Sequence, residues 1–488
     1  MVTIMKNKAL TLVTVFVIIL IGSSVKAATR TVDTIADNGG LSACTVAEND
    51  CSLRGAITNA NSGDTVNFDS TIFAAAQTIT LGGTSNPIII SRNLTIIGTD
   101  ADKLTVSGNN ANLVFDVRNF TVSLSRMTIT GGNGTYFLNG SNAPGGGILN
   151  TGTTTISDCV ITANQTALSG SFGGGIYNNG GTLTLIGSTV SNNVARSTGF
   201  DNGGGISSQI GAVFVTNSTF SGNTVNSTAG ESGGGIHIFS GNLIVTNSTI
   251  SNNTVNTTIR SAGGITIGSG TATIRNSIIA ANVGNGTLPD VFGSFTLTDG
   301  GNNVIGNVGT ATGFAQSGDQ TGTGGSPLNP KLAALTINGG KTPTHALLQS
   351  SPAANMGNNC VLTNVCTLPV STGSIVFDQR GVGFSRNVGG TVDVGSFEVL
   401  APTAANATIS GRVLTPEGRG LRNAQVSLTD ANGNLRTAMS NSFGYFRFTE
   451  VESGQTYIIG VRSKRYLFTP QILTINEDVT ELILTANQ

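Results

Sequence analysis

The chain has 488 residues, a formal net charge of −1 and only 10% charged side chains, with 67 glycines and no tryptophan. This balance excludes a basic stripe for nucleic acid and a polybasic patch for an anionic membrane surface. It also leaves few groups for acid–base chemistry: between Gly145 and Asn285 the acidic and basic side chains are Asp158, Arg196, Asp201, Glu231, His237, Arg260 and Arg275.

Residues 1–27 read as a signal peptide, with Lys6 and Lys8 before an apolar run and Val25-Lys26-Ala27 as the cleavage site. The run is shorter than the roughly 20 residues that span a bilayer, so an exported, extracellular or cell-surface protein with no transmembrane span after cleavage is expected. Residues 28–64 suggest an N-terminal cap, in which a short helix after Ser52 plugs the apolar end of the first strand turn. An open end of a stacked strand repeat needs such cover.

From residue 65 the pattern is one of short strands, irregular at first. A Gly-Gly-Gly-Ile phrase then recurs, with isoleucines at 148, 176, 206 and 236 and at 265 after Ala262. A fixed period of this size marks a stacked repeat. Each repeat adds an apolar residue with an asparagine three places later, at Asn164, Asn193, Asn223, Asn253 and Asn282. Two places before the apolar residue stands Cys159, Ser188, Ser218, Ser248 or Ser277, which is strand alternation with both positions facing inward. Gly, Asn, Ser, Thr and β-branched residues are poor helix formers, so an all-β fold is expected: a right-handed parallel β-helix over residues 65–400, handed as parallel crossovers nearly always are. Its five asparagines should stack as an amide ladder.

Cys44 with Cys51 and Cys360 with Cys366 are close in sequence and suit local disulfides in an oxidising compartment. Cys159 occupies a serine slot of the repeat and reads as a small core residue. Residues 401–406 suggest a linker. Beyond them strands separated by turns such as Asp430-Ala-Asn-Gly433 indicate a small antiparallel β-sandwich over residues 407–488.

Several motifs resemble known families. The Gly-Gly-Gly-Ile and Phe220-Ser-Gly-Asn223 phrases resemble repeats of the polymorphic outer-membrane proteins, which have the pectin-lyase-like fold. Residues 51–57 resemble the CSLREA motif, except that Gly55 stands where that motif has glutamate, which removes the partner of a capping box with Ser52. Thr342-Pro-Thr-His345, Asp378-Gln-Arg-Gly381 and Val392-Asp-Val-Gly-Ser-Phe-Glu398 resemble the choice-of-anchor Q domain, with Asn355 where an aspartate is usual. Gly444-Tyr-Phe-Arg-Phe448 and its neighbours resemble the regulatory-like sandwich of carboxypeptidases, related to carbohydrate-binding-like folds. Together these resemblances imply a bacterial exported or surface protein without a known reaction.

Asp201 and Glu231 stand one repeat apart, each two positions before its glycine triplet. In register their backbones would lie about 5 Å apart, near the carboxyl separation of a retaining glycosidase, with His237 on the following strand. This is the site of the alternative reading, a polysaccharide lyase or glycoside hydrolase. The favoured reading is non-catalytic: adhesion, display or carbohydrate binding, with glycans or cell-surface and matrix components as partners, and no cofactor or metal. His345 reads as a structural turn histidine, and Asp378, Arg380, Asp393 and Glu398 as ion pairs. Scarce aromatic side chains offer few platforms for sugar rings.

Overall fold

The computed structural model describes residues 27–84, 86–134, 137–138, 141–142, 145–166, 172–197, 202–227, 230–257, 261–284, 289–293, 296–366, 373–399, 407–430, 433–453, 455–475 and 478–487. The predicted signal peptide and the linker at 401–406 lie outside the described residues. The fold is all-β, a parallel solenoid followed by a small β-sheet domain.

In the solenoid, equivalent strands of successive turns pair in parallel register. Ile148, Ile176, Ile206, Ile236 and Ile265 lie side by side along one wall. A second wall stacks ten strands, running from Gln77–Thr80 through Val160–Thr162, Thr189–Ser191, Thr219–Ser221 and Thr249–Ser251 to Gln320–Thr321. Alternation sends Leu183, Leu185, Val213, Val215, Leu243 and Val245 into one continuous core. The glycine triplets belong where neighbouring turns touch through backbone alone: a Cβ on Gly146 would lie 2.1 Å from the Gly174 carbonyl oxygen, and one on Gly204 2.4 Å from that of Gly234.

At the N-terminal end a strand and a helix lie against the first turns. Thr29–Val32 adds a parallel strand to Thr65–Phe68, and the helix Leu53–Asn59 buries Leu53, Ala56 and Ile57 against the core. Ser52 caps the helix by accepting from the Gly55 N–H at 3.0 Å. A Cβ at position 55 would come within 1.9 Å of the Leu41 carbonyl oxygen. The helix therefore packs too closely on residues 41–42 for any side chain there, which gives Gly55 a steric reason.

Residues 331–366 and 373–399 add no turn to the stack. They run lengthwise over the ten-stranded wall, held together by Cys360–Cys366 and a small core of Val361, Ile375 and Val392. The outward side chains beneath them change character along the rod. Thr189, Thr219, Ser221 and Thr249 meet the segment through hydrogen bonds, whereas Ile278, Ala280 and Val304 pack apolarly on Ala353 and Val394.

The C-terminal unit has its own core, including Ile409, Val413, Val426, Leu428, Phe446, Phe448 and Ile459. Four strands, Gln425–Thr429, Leu435–Met439, Gln455–Arg462 and Gln471–Ile475, form an antiparallel sheet. The second sheet differs from a purely antiparallel plan: Ala407–Leu414 is antiparallel to Tyr445–Val451 but parallel to Val479–Thr485, so the first and last strands of the unit pair side by side.

Candidate functional site

Of the residues proposed for chemistry, Glu231 and His237 are described, and no hydrogen bond joins them. Asp201 and Arg260 lie outside the described residues. Glu231 is half-buried, and its Oε2 reaches to 3.7 Å from where a Gly268 Cβ would stand, towards the next turn. His237, on the strand Ile236–Ile238 between Ser207 and Thr266, is 1% exposed, and neither ring nitrogen has a hydrogen-bond partner. Burial pushes its pKa down to about 3, so the ring is neutral at any ordinary pH. No hydrogen bond joins it to Glu231, and a general base needs one to the proton it moves. Among the described residues no three His, Cys, Asp or Glu side chains converge as a metal site.

The recurring polar residues instead form two internal ladders. Asn164 Nδ2 donates to Asn193 Oδ1 at 3.0 Å, Asn193 to Asn223 at 2.9 Å, Asn223 to Asn253 at 2.8 Å and Asn253 to Asn282 at 2.8 Å. Parallel to it, the Cys159 N–H donates to Ser188 Oγ, and so on through Ser218, Ser248 and Ser277 to Asn303, each at 3.0 to 3.2 Å. The residue before each rung has positive φ, namely Asp158, Gly187, Asn217, Asn247 and Asn276 in one ladder and Ala163, Asn192, Gly222, Asn252 and Ala281 in the other. Glycine and asparagine tolerate that conformation, while alanine is strained in it.

Both ladders stop on an aspartate by the same device. Asp290 Oδ1 accepts the backbone N–H and the Nδ2 of Asn282 at 2.9 and 2.8 Å, and its Oδ2 accepts the Asn307 N–H at 2.7 Å. Asp319 Oδ1 likewise accepts the backbone N–H and Nδ2 of Asn303 at 2.9 and 3.1 Å, and its Oδ2 accepts the Gln316 N–H at 3.0 Å. A carboxylate offers acceptors on both sides and no donor to pass onward. Sequence reasoning missed both terminal residues, although each stands where the repeat loses its period.

A third polar group sits inside the lengthwise segment. Asp378 pairs with Arg380 at 2.6 Å, and Arg380 lies between the Phe384 and Phe397 rings at 4.1 and 3.8 Å. Glu398 is 3.9 Å from Arg386, and Glu398 also accepts the Asp393 N–H at 2.8 Å. Burial, then the nearby Asp393 carboxylate, pushes the Glu398 carboxyl up to about 8. Burial also raises Asp393 and lowers Arg386, against the attraction of their opposite charges. Four of these residues stand out in the sequence; fully buried Arg386, which donates to Asn217 at 2.5 Å, does not. His345 is likewise a fastening. Its Nδ1 faces the Ala333 carbonyl at 2.7 Å and so donates, which leaves Nε2 to accept from Ser221 Oγ at 2.9 Å.

The cysteines pair as Cys44–Cys51 and Cys360–Cys366, while Cys159 is buried with its thiol pushed up to about 12 by desolvation. An open cleft of about 900 Å³ lies between the last turns and the lengthwise segment, lined by Arg275, Asn302, Gln316, Asn358, Cys360 and Thr391 among others. It holds none of the residues proposed for catalysis.

In the C-terminal unit, buried and half-buried residues alternate along Ala407–Leu414, buried and exposed ones along the first part of Tyr445–Val451, and Phe446 and Phe448 meet edge to face at 6.1 Å. Residues 408–485 match the carboxypeptidase regulatory-like domain. This regulatory-like domain places Phe446 and Tyr457 in its core, with the Tyr457 hydroxyl on the Glu452 carbonyl at 3.3 Å, and leaves Tyr445 exposed beneath Arg412. No curated protein matches the chain.

Proposed function

We propose that the protein is a non-catalytic extracellular rod, exported by its N-terminal segment and held at or near the bacterial surface, which displays its turns and faces for adhesion or glycan binding. A β-solenoid joined to a regulatory-like domain fits a surface or extracellular protein. The two disulfides agree with an oxidising compartment, and no helix among the described residues is long and apolar enough to cross a membrane. The observation that carries the non-catalytic reading is His237: the one histidine of the Gly-Gly-Gly-Ile repeats is buried, neutral and hydrogen-bonded to nothing. The CSLREA-like and choice-of-anchor Q-like motifs add the expectation of a bacterial surface protein.

The test compares the full chain with one ending at residue 400, on a glycan array and on matrix components. Binding by the full chain with no release of reducing or unsaturated sugars supports display. Loss of binding on truncation assigns the affinity to the regulatory-like domain. Sugar release abolished by D201N or E231Q would replace this reading with the lyase or hydrolase one.

A further inference from the structure

We infer that residues 331–366 and 373–399 form a longitudinal brace that makes the turns of the solenoid between Gly187 and Gln320 open together. In a stacked repeat each unit touches only its neighbours, so stability is a chain of local terms and single turns can open alone. This segment instead links turns that are far apart. At its upper end the Thr342 hydroxyl donates to the Gly187 carbonyl at 3.0 Å, and Pro343 accepts from Thr189 Oγ1 at 2.6 Å. Further along, Asn217 is held from both sides, donating to the Phe377 carbonyl and accepting from Arg386. The Gly395 N–H reaches the Asn276 carbonyl at 2.8 Å, and Pro352 accepts from Gln320 in the last strand of the wall at 2.7 Å.

One side chain concentrates this linkage. Gln379 accepts from Thr219 Oγ1 at 2.6 Å and donates to Thr189 Oγ1 at 2.9 Å, so a single amide bonds two adjacent turns while also touching Thr342 at 3.1 Å. Ser396 extends the same row to Thr249, one turn further, through its N–H at 3.1 Å and its hydroxyl at 3.2 Å, and that hydroxyl also meets Thr219 Oγ1 at 2.8 Å. The segment holds its shape through its disulfide and the Asp378–Arg380 pair. Opening any one turn beneath it therefore breaks bonds to an element that the neighbouring turns also hold.

The inference rests on the fold alone and stands apart from the function proposed above. Hydrogen exchange of the full chain, followed by mass spectrometry in rising urea, tests it. In the natural protein, peptides covering 189–191, 219–221 and 249–251 should lose protection at one urea concentration. In Q379A/S396A the same peptides should separate into distinct midpoints, with exchange of the first turn faster by about tenfold or more at low urea. L183A, a core truncation that leaves the brace intact, should lower the midpoint of all three together. The milder T342V, which removes the bonds to Gly187 and Gln379, should give partial separation if the double variant does not fold. Distinct midpoints in the natural protein, or a common midpoint in Q379A/S396A, or in T342V where the double variant does not fold, would overturn the brace.

Discussion

At the scale of single residues, the ladder positions carry sharp expectations. Asp290 accepts through both oxygens, so D290N must turn an amide NH2 towards an N–H; leaving that contact unmade should cost about 1–3 kcal/mol in urea denaturation. Ala281 stands at φ 60 where most of the other rungs are preceded by glycine or asparagine. Replacing it with glycine should stabilise the protein by roughly 0.5–1 kcal/mol. His237 gives a pH signature. Its folded pKa of about 3 lies below the ordinary value of 6.5, so the unfolded chain binds the extra proton. Its stability contribution is complete above pH 6.5 and falls as the pH drops towards 3, at no more than about 1.4 kcal/mol per unit. H237L should flatten that acid limb of a plot of unfolding free energy against pH. Glu398 acts in the opposite direction, because its folded pKa is raised to about 8 from 4.5. Its contribution is whole below 4.5 and is lost as the pH rises through 8, and E398Q should shallow the alkaline limb.

At the scale of elements, what was legible in the sequence was whatever repeats. The Gly-Gly-Gly-Ile register and the Ser and Asn rungs are chemically identical from turn to turn because each rung meets the same neighbour above and below, so one-dimensional periodicity carries them. The lengthwise segment was not legible as such. Its contacts occur once each and many join distant residues, as in Thr189 with Pro343, 154 apart, and Gln379 with Ser188, 191 apart, and no period announces a pair of that separation. Asp378, Arg380, Asp393 and Glu398 could be recognised as ion-pairing groups, but their partner Arg386 and the wall they rest on came only with the fold. Gly55 is a similar case. In sequence it was a missing carboxylate; in the structure it is a close approach to Leu41. G55A should therefore lower stability by roughly 1–3 kcal/mol through overpacking, read as a drop in melting temperature, while the adjacent Ser52 cap remains in place.

At the scale of the whole molecule, the solenoid and the regulatory-like domain have separate cores. Excising residues 407–488 should leave the melting of the solenoid unchanged and remove one calorimetric transition. A merged transition, shifted downward in the shortened chain, would instead show that the two units depend on each other. The acid pair Asp201–Glu231 belongs to this scale too, since only binding and turnover measurements on the entire protein decide between display and degradation.

The identical aspartate endings have a consequence for how such a chain can change over generations. A whole repeat copied or deleted between Asn164 and Asn282 leaves every amide facing another amide, so the rod can lengthen or shorten there without inventing a new contact. The same duplication carried past Asp290 or Asp319 would set a carboxylate in the interior of a row, with nothing to hand on to the copy beyond it. Descendants of this sequence should therefore differ in repeat number within the glycine-phrase array and share a fixed ending.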